Sequence, residues 1–133
     1  MKRYLLDTNI CVFYLRNKGG VTEQMLSVGF SSLYVSEITV LELMVGAENS
    51  QNPEKNKKAV SDFLKLLQII PIYPTINAFA KEKIRLQKIG TPLDSLDLLI
   101  GIASVHHNMI MVTNNTRHFQ TIHEIVLEDW VRR

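Results

Sequence analysis

Cysteine is nearly absent: Cys11 is alone among 133 residues. A lone thiol excludes an intrachain disulfide and any cysteine-based zinc cluster, and it suits a reducing compartment. Long apolar runs are missing too. No stretch approaches the ~18 residues needed to cross a bilayer. Asp7 cuts the first apolar run, Tyr4-Leu5-Leu6, well short of the roughly 7–15 residues of a secretory leader. A cytoplasmic protein with no membrane association is expected. Charge of one sign is also scarce: 15 Lys+Arg face 13 Asp+Glu, a net +2, so bulk electrostatics do not announce a nucleic-acid partner and local charge must carry any such contact. There is no P-loop and no GxGxxG. His106, His107, His118 and His123 lack HxxxH or HExxH spacing, and no serine sits in a nucleophile elbow. Nucleotide-fold, zinc-protease and serine-hydrolase chemistry are thereby set aside.

What remains is a globular composition, 46% hydrophobic and 21% charged, in a chain of one-domain length. Without repeat, low-complexity tract or linker, residues 1–133 read as a single domain. Short apolar runs alternate with segments of helical period. Tyr4–Leu6, Leu33–Val35, Ile69–Tyr73 and Met109–Val112 read as strands, and Ile125–Leu127 as a fifth; Pro71 confines the third to an edge or shortens it. Between them, Ile10–Leu15, the segment after Ser36, Lys57–Leu67, Ala78–Ile89 and Leu96–Val105 read as helices, and Asn49–Asn56 as a loop. In the helix after Ser36, the spacing of Ile38, Leu41 and Val45 predicts one apolar face. Strands separated by helices of this length predict an α/β fold, a three-layer α/β/α sandwich around a parallel sheet of four to five strands.

Three carboxylates stand where apolar residues are expected. Asp7 ends the first strand, Glu42 lies within Ile38-Thr39-Val40-Leu41-Glu42-Leu43-Met44-Val45, and Asp97 within Leu96-Asp97-Leu98-Leu99-Ile100. Burying a carboxylate is costly unless it is paired, and neither Glu42 nor Asp97 has Lys or Arg within a helical turn. In open parallel sheets, ligands bind beyond the carboxyl ends of the strands, where these acids would meet. Two carboxylates 4 Å apart repel by about 4 kcal/mol at an effective dielectric of 20, and a hard divalent cation removes that penalty. Oxygen ligands select magnesium or manganese over zinc. Bland readings stand beside this one: Asp7 as a helix cap, Glu42 in an ion pair with a distant arginine, and Asp94 capping the helix at Ser95.

These residues and their flanks resemble the PIN-domain nucleases, and among them the VapC toxins of bacterial toxin–antitoxin pairs. Five blocks carry the resemblance in order: Leu6-Asp7-Thr8-Asn9; Ser36 to Leu43 with Gly46 and Ala47; Gly90-Thr91-Pro92-Leu93 leading to Asp97-Leu98-Leu99-Ile100; Val112 to Phe119; and Glu128-Asp129-Trp130. The resemblance implies a magnesium-dependent endoribonuclease, with manganese as the other candidate cation, acting on structured RNA such as tRNA. It also implies a homodimer restrained by a VapB-type antitoxin whose C-terminal segment occupies a groove near the active site. Carried over by position, Asp7, Glu42 and Asp97 become metal ligands. Asn115 falls where many PIN domains have a fourth acid, and reads as an auxiliary catalytic residue. Thr8, Asn9 and Thr113 would orient water or the ligands, Asp94 is an additional candidate, and Arg117 is the basic residue placed for phosphate contact. Lys81, Arg85 and Lys88 form a basic stripe that is either a solvated face or an RNA contact. Two alternatives stay open: a PIN-domain nuclease of RNA maturation or DNA flap processing, and a non-catalytic RNA- or protein-binding module.

Overall fold

Tyr4, Leu5 and Leu6 are buried without a polar residue between them, which only a strand covered on both faces requires. The computed structural model describes residues 1–133 and puts that strand, β1 (Tyr4–Leu6), at the centre of a sheet. Around it lie β2 (Leu33–Ser36), β3 (Gln68–Ile70), β4 (Ile110–Val112) and β5 (Leu127–Glu128), in the order β3-β2-β1-β4-β5. All four pairings are parallel. Seven helices connect them: α1 (Thr8–Leu15), α2 (Val21–Val28), α3 (Glu37–Glu48), α4 (Pro53–Leu64), α5 (Ile76–Lys88), α6 (Ser95–His106) and α7 (Thr116–Phe119).

The strand period divides the core in two. Tyr4 and Leu6 face a cluster built with Ile10, Met25, Leu43, Val60 and Phe63, whereas Leu5 and Met111 face one built with Leu86, Leu98, Ile100 and Phe119. Helices thus cover both faces, giving the expected three layers around five parallel strands. The chain runs outward from β1 through β2 to β3, then returns to place β4 on the other side of β1. The carboxyl ends of β1 and β4 therefore flank the switch point, the place where α/β sheets open a crevice.

Several elements differ from expectation. The stripe that α3 buries contains Thr39, Leu43 and Ala47, together with Ile38, while Leu41 and Val45 are 51% and 60% exposed. The segment is apolar on nearly every side, so spacing alone could not select the inward face. Pro53 lies not in a loop but at the first position of α4, which is capped by Asn52 Oδ1 accepting from the Lys55 amide; a proline there loses no helical hydrogen bond. β3 ends at Ile70, and Pro71 follows it at the sheet edge. The basic stripe of α5 is broken. Arg85 holds the buried Glu82 through two hydrogen bonds of 2.8 and 2.7 Å and donates to the Thr121 carbonyl. Glu82 also accepts from the His123 amide, so α5 is fastened to the turn before β5.

Candidate active site

Two of the acids sit at element ends, and Glu42 lies in the middle of α3. Asp7 follows β1 and caps α1, its Oδ1 accepting from the Thr8 amide at 2.8 Å. Its amide continues the ladder to the Val112 carbonyl, which brings the loop after β4 alongside. There the Thr113 hydroxyl donates to Asp7 Oδ2 at 2.8 Å, across the switch point. Asp7 thus caps a helix and lines the cleft, and the two readings of it coexist. Glu42 enters from α3, and Thr8 donates to its Oε1 at 2.6 Å. Since the single Thr8 proton is used there, the buried Thr39 hydroxyl donates to Thr8 in turn, over 3.1 Å. Asp97 comes from the first turn of α6 and meets His118 Nε2 at 3.1 Å.

Asp7, Thr8, Asn9, Glu42, Asp97, Asn115, His118 and Phe119 line one cleft of about 170 Å³. No lysine or arginine lines it, and Glu42 forms no salt bridge, although Arg16 lines the adjoining groove that shares Glu42. Burial pushes the Asp7 carboxyl up to about 6, against the lowering effect of Thr113 and the Thr8 amide, and the charges of Asp97 and Glu42 push the same way. Burial likewise pushes the thiol of Cys11, beneath the site on α1, well above its usual range. The cleft therefore concentrates negative charge with no lysine or arginine bonded to its acids. Three carboxylates with hydroxyl neighbours are a donor set that suits magnesium or manganese. They stand apart from one another: nowhere in the chain are three His, Cys, Asp or Glu side chains grouped closely enough to hold a metal ion as they lie. Like charges keep apart, each turned to its own hydrogen-bond donor.

The remaining candidates divide. Thr113 is buried and bonded to Asp7, and Thr8 bridges Asp7 and Glu42. Asn9 reaches Asn114 over 3.5 Å at the exposed rim. Asn115 lines the cleft, with its amide bonded to Thr113 Oγ1. Asp94 does not line it; its carboxylate caps α6, accepting from the Leu96 amide at 3.1 Å. Arg117 is exposed on α7 and is not among the lining residues. Sequence reasoning misses two participants. Thr39 is hidden among apolar neighbours, and the histidine spacing bears only on zinc, which leaves His118 without a role. Its signal is positional: a polar residue in the first turn after β4, just before the buried Phe119.

Two further grooves adjoin the cleft. One, about 280 Å³, shares Thr8 and Glu42 with it and extends along Val12, Leu15, Gly46 and Ala59. The other, about 550 Å³ and lined mainly by apolar side chains, shares Leu15 and Ala59 with the first and ends on Tyr14 and Phe63, whose rings stack 4.4 Å apart.

Comparison with known proteins places this geometry. The family model described as PIN domain matches residues 4–124. The chain is 36% identical over 132 residues to the tRNA(fMet)-specific endonuclease VapC of Salmonella typhimurium, covering 98% of this chain and 99% of that one. It is 33% identical to ribonuclease VapC2 of Haemophilus influenzae, covering 98% and 100%. Among solved structures, the DNA-bound VapBC of Salmonella typhimurium superposes with a TM-score of 0.90 at 32% identity, over 98% of this chain and 99% of that chain. VapBC-1 of nontypeable Haemophilus influenzae superposes with a TM-score of 0.84 at 28% identity, over 96% and 97%.

Proposed function

The chain belongs to the PIN-domain family and, within it, to the VapC group, and on that premise we propose that it is a magnesium-dependent endoribonuclease toxin. Its substrate is a structured RNA, tRNA foremost, and its place of action is the cytoplasm. The observation that carries the reading is a cleft that Asp7, Glu42 and Asp97 line together with no lysine or arginine among its walls. When bound there, magnesium or manganese supplies a Lewis acid that activates water and offsets charge on a phosphodiester.

The chain's own residues do the rest. Asp7, Glu42 and Asp97 would hold the cation. Thr113 and the Thr8 amide fix the two oxygens of Asp7, and the Thr8 hydroxyl fixes Glu42. Hydroxyl and amide donors of this kind orient ligating carboxylates. Asn115, at the cleft wall, offers an amide that donates to a phosphate oxygen or to water without adding charge. Arg117, exposed one residue before His118, is free to approach the RNA backbone.

A VapB-type antitoxin restrains the enzyme in this reading. The two joined grooves form a path from Tyr14 and Phe63 to Glu42, along which a bound segment would reach the acids. A homodimer belongs to the same reading, and the exposed Leu41 and Val45, one turn apart on α3, give it an apolar stripe to cover.

The test compares purified tRNA, ribosomal RNA and flap DNA as substrates of the whole chain with magnesium. The tRNA is expected to be cut, and Asp97→Asn is expected to bring cleavage to background with an unchanged circular dichroism spectrum. Undiminished cleavage by Asp97→Asn overturns the proposal, and preferential cutting of flap DNA replaces its substrate class.

A further inference from the structure

Asp7 and Glu42 receive their donors from threonines, but Asp97 depends on a different residue. It lies at the third position of α6, whose cap is Asp94, so its carboxylate is not consumed in capping. No lysine or arginine bonds to it, and His118 Nε2 at 3.1 Å is its only side-chain donor. A carboxylate only accepts, so Nε2 carries the hydrogen.

His118 is itself firmly placed. The Asn115 amide donates to Thr113 Oγ1 at 3.0 Å, and the His118 amide to the Asn115 carbonyl at 3.1 Å. The next residue, Phe119, is 2% exposed in the core, and its ring meets the His118 ring edge-on at a centroid distance of 5.0 Å. The hydroxyl that fixes Asp7 is therefore also the hinge-pin of the turn that aims His118 at Asp97. One segment, Thr113 to Phe119, sets the orientation of two acids that arrive from opposite ends of the chain.

We infer that His118 is a positioning residue: it donates to Asp97 Oδ2, which leaves Oδ1 for a divalent cation. The inference rests on the proposed reading of Asp97 as a cation ligand. A half-exposed hydrogen bond of this kind adds little to folding, so its consequence belongs to ligand geometry. Removing a partner of a metal ligand typically weakens metal affinity by about 10- to 100-fold.

Two substitutions separate the donor from the ring. His118→Phe keeps the ring against Phe119 and removes the donor, whereas His118→Gln gives up the ring and keeps a donor of similar reach. Manganese binding to the whole chain is measured by electron paramagnetic resonance, alongside kcat and KM for RNA cleavage. His118→Phe is expected to bind manganese about 10-fold more weakly and to lose kcat with little change in KM, while His118→Gln recovers most of both. Wild-type affinity in His118→Phe, or a loss in His118→Gln that matches or exceeds it, overturns the positioning role. The proposed nuclease reading fails separately, if the wild-type chain does not bind manganese or Asp97→Asn binds it equally well.

Discussion

At the level of single residues, the least comfortable group is Asp7. Its carboxyl is 5% exposed and pushed up from 3.8 to about 6. A group whose folded value lies above its unfolded one stabilises the fold most when protonated. Its contribution is therefore full below about pH 3.8 and is lost as the pH rises through about 6. In a chelating buffer at pH 7.5, Asp7→Asn should raise stability by up to about 3 kcal/mol, since a tenfold change in proton affinity corresponds to about 1.4 kcal/mol, while cleavage is lost. Urea unfolding at pH 4.5 and 7.5 checks this, and the gain should shrink at the lower pH. Asp7 was legible because a carboxylate closing an apolar strand has few structural uses. Glu42 and Asp97 were legible for the same reason, each being a charge in an apolar helical run. Of their holders, Thr8 and Thr113 were reached only through the family resemblance, and Thr39 not at all: threonine is at home in cores, turns and caps alike, so nothing local marks it until the strands bring it to the acids.

Among the elements, those carried by a strong local signal were the readable ones. Ser36 before α3 accepts from the Ile38 amide as a cap should, and α5 ends where Gly90 adopts a φ of +78°, a conformation that glycine adopts without strain. The inward face of α3 was not readable, because period identifies a face only where the opposite face is polar. The fastening of α5 was hidden for a related reason: Glu82 and Arg85, three residues apart, look like any exposed helical pair. Here the pair is partly sunk and reaches the backbone at Thr121 and His123. Glu82→Gln should therefore lower the melting temperature near neutral pH by roughly 5 °C. Arg85 holds the Glu82 carboxyl below its usual range, so Glu82 stabilises above its unfolded value and the contribution fades as the pH falls through the lowered one. The difference between wild type and variant should close in acid, below the usual carboxylate range, as calorimetry across that range would show.

For the molecule as a whole, alternation of short strands and helices was enough to give the layers and the parallel sheet, because crossover connections leave few other arrangements. Strand order was not available from alternation, and it is what puts Thr113 against Asp7. The joined grooves, expected only through the resemblance, were equally hidden from alternation, being made by α1, α3 and α4, segments far apart in sequence. Ala59, exposed where the grooves meet, offers a test of the proposed restraint. Ala59→Arg should fold and cut RNA like the wild type, since exposed substitutions usually stay within about 0.5 kcal/mol. It should no longer co-purify with its proposed VapB-type antitoxin, and its growth arrest should persist when both are expressed.

The place of β4 beside β1 has a consequence for how such a chain is made. Synthesis runs from the amino end, and domains fold as units once their partners are available. When Asp7 and Glu42 have left the ribosome, the strand that completes the middle of the sheet and the loop bearing Thr113 and His118 are still untranslated. Under the proposed toxin reading, a nascent chain holds an incomplete site until that segment emerges, an interval in which a neutralising partner can already be in place.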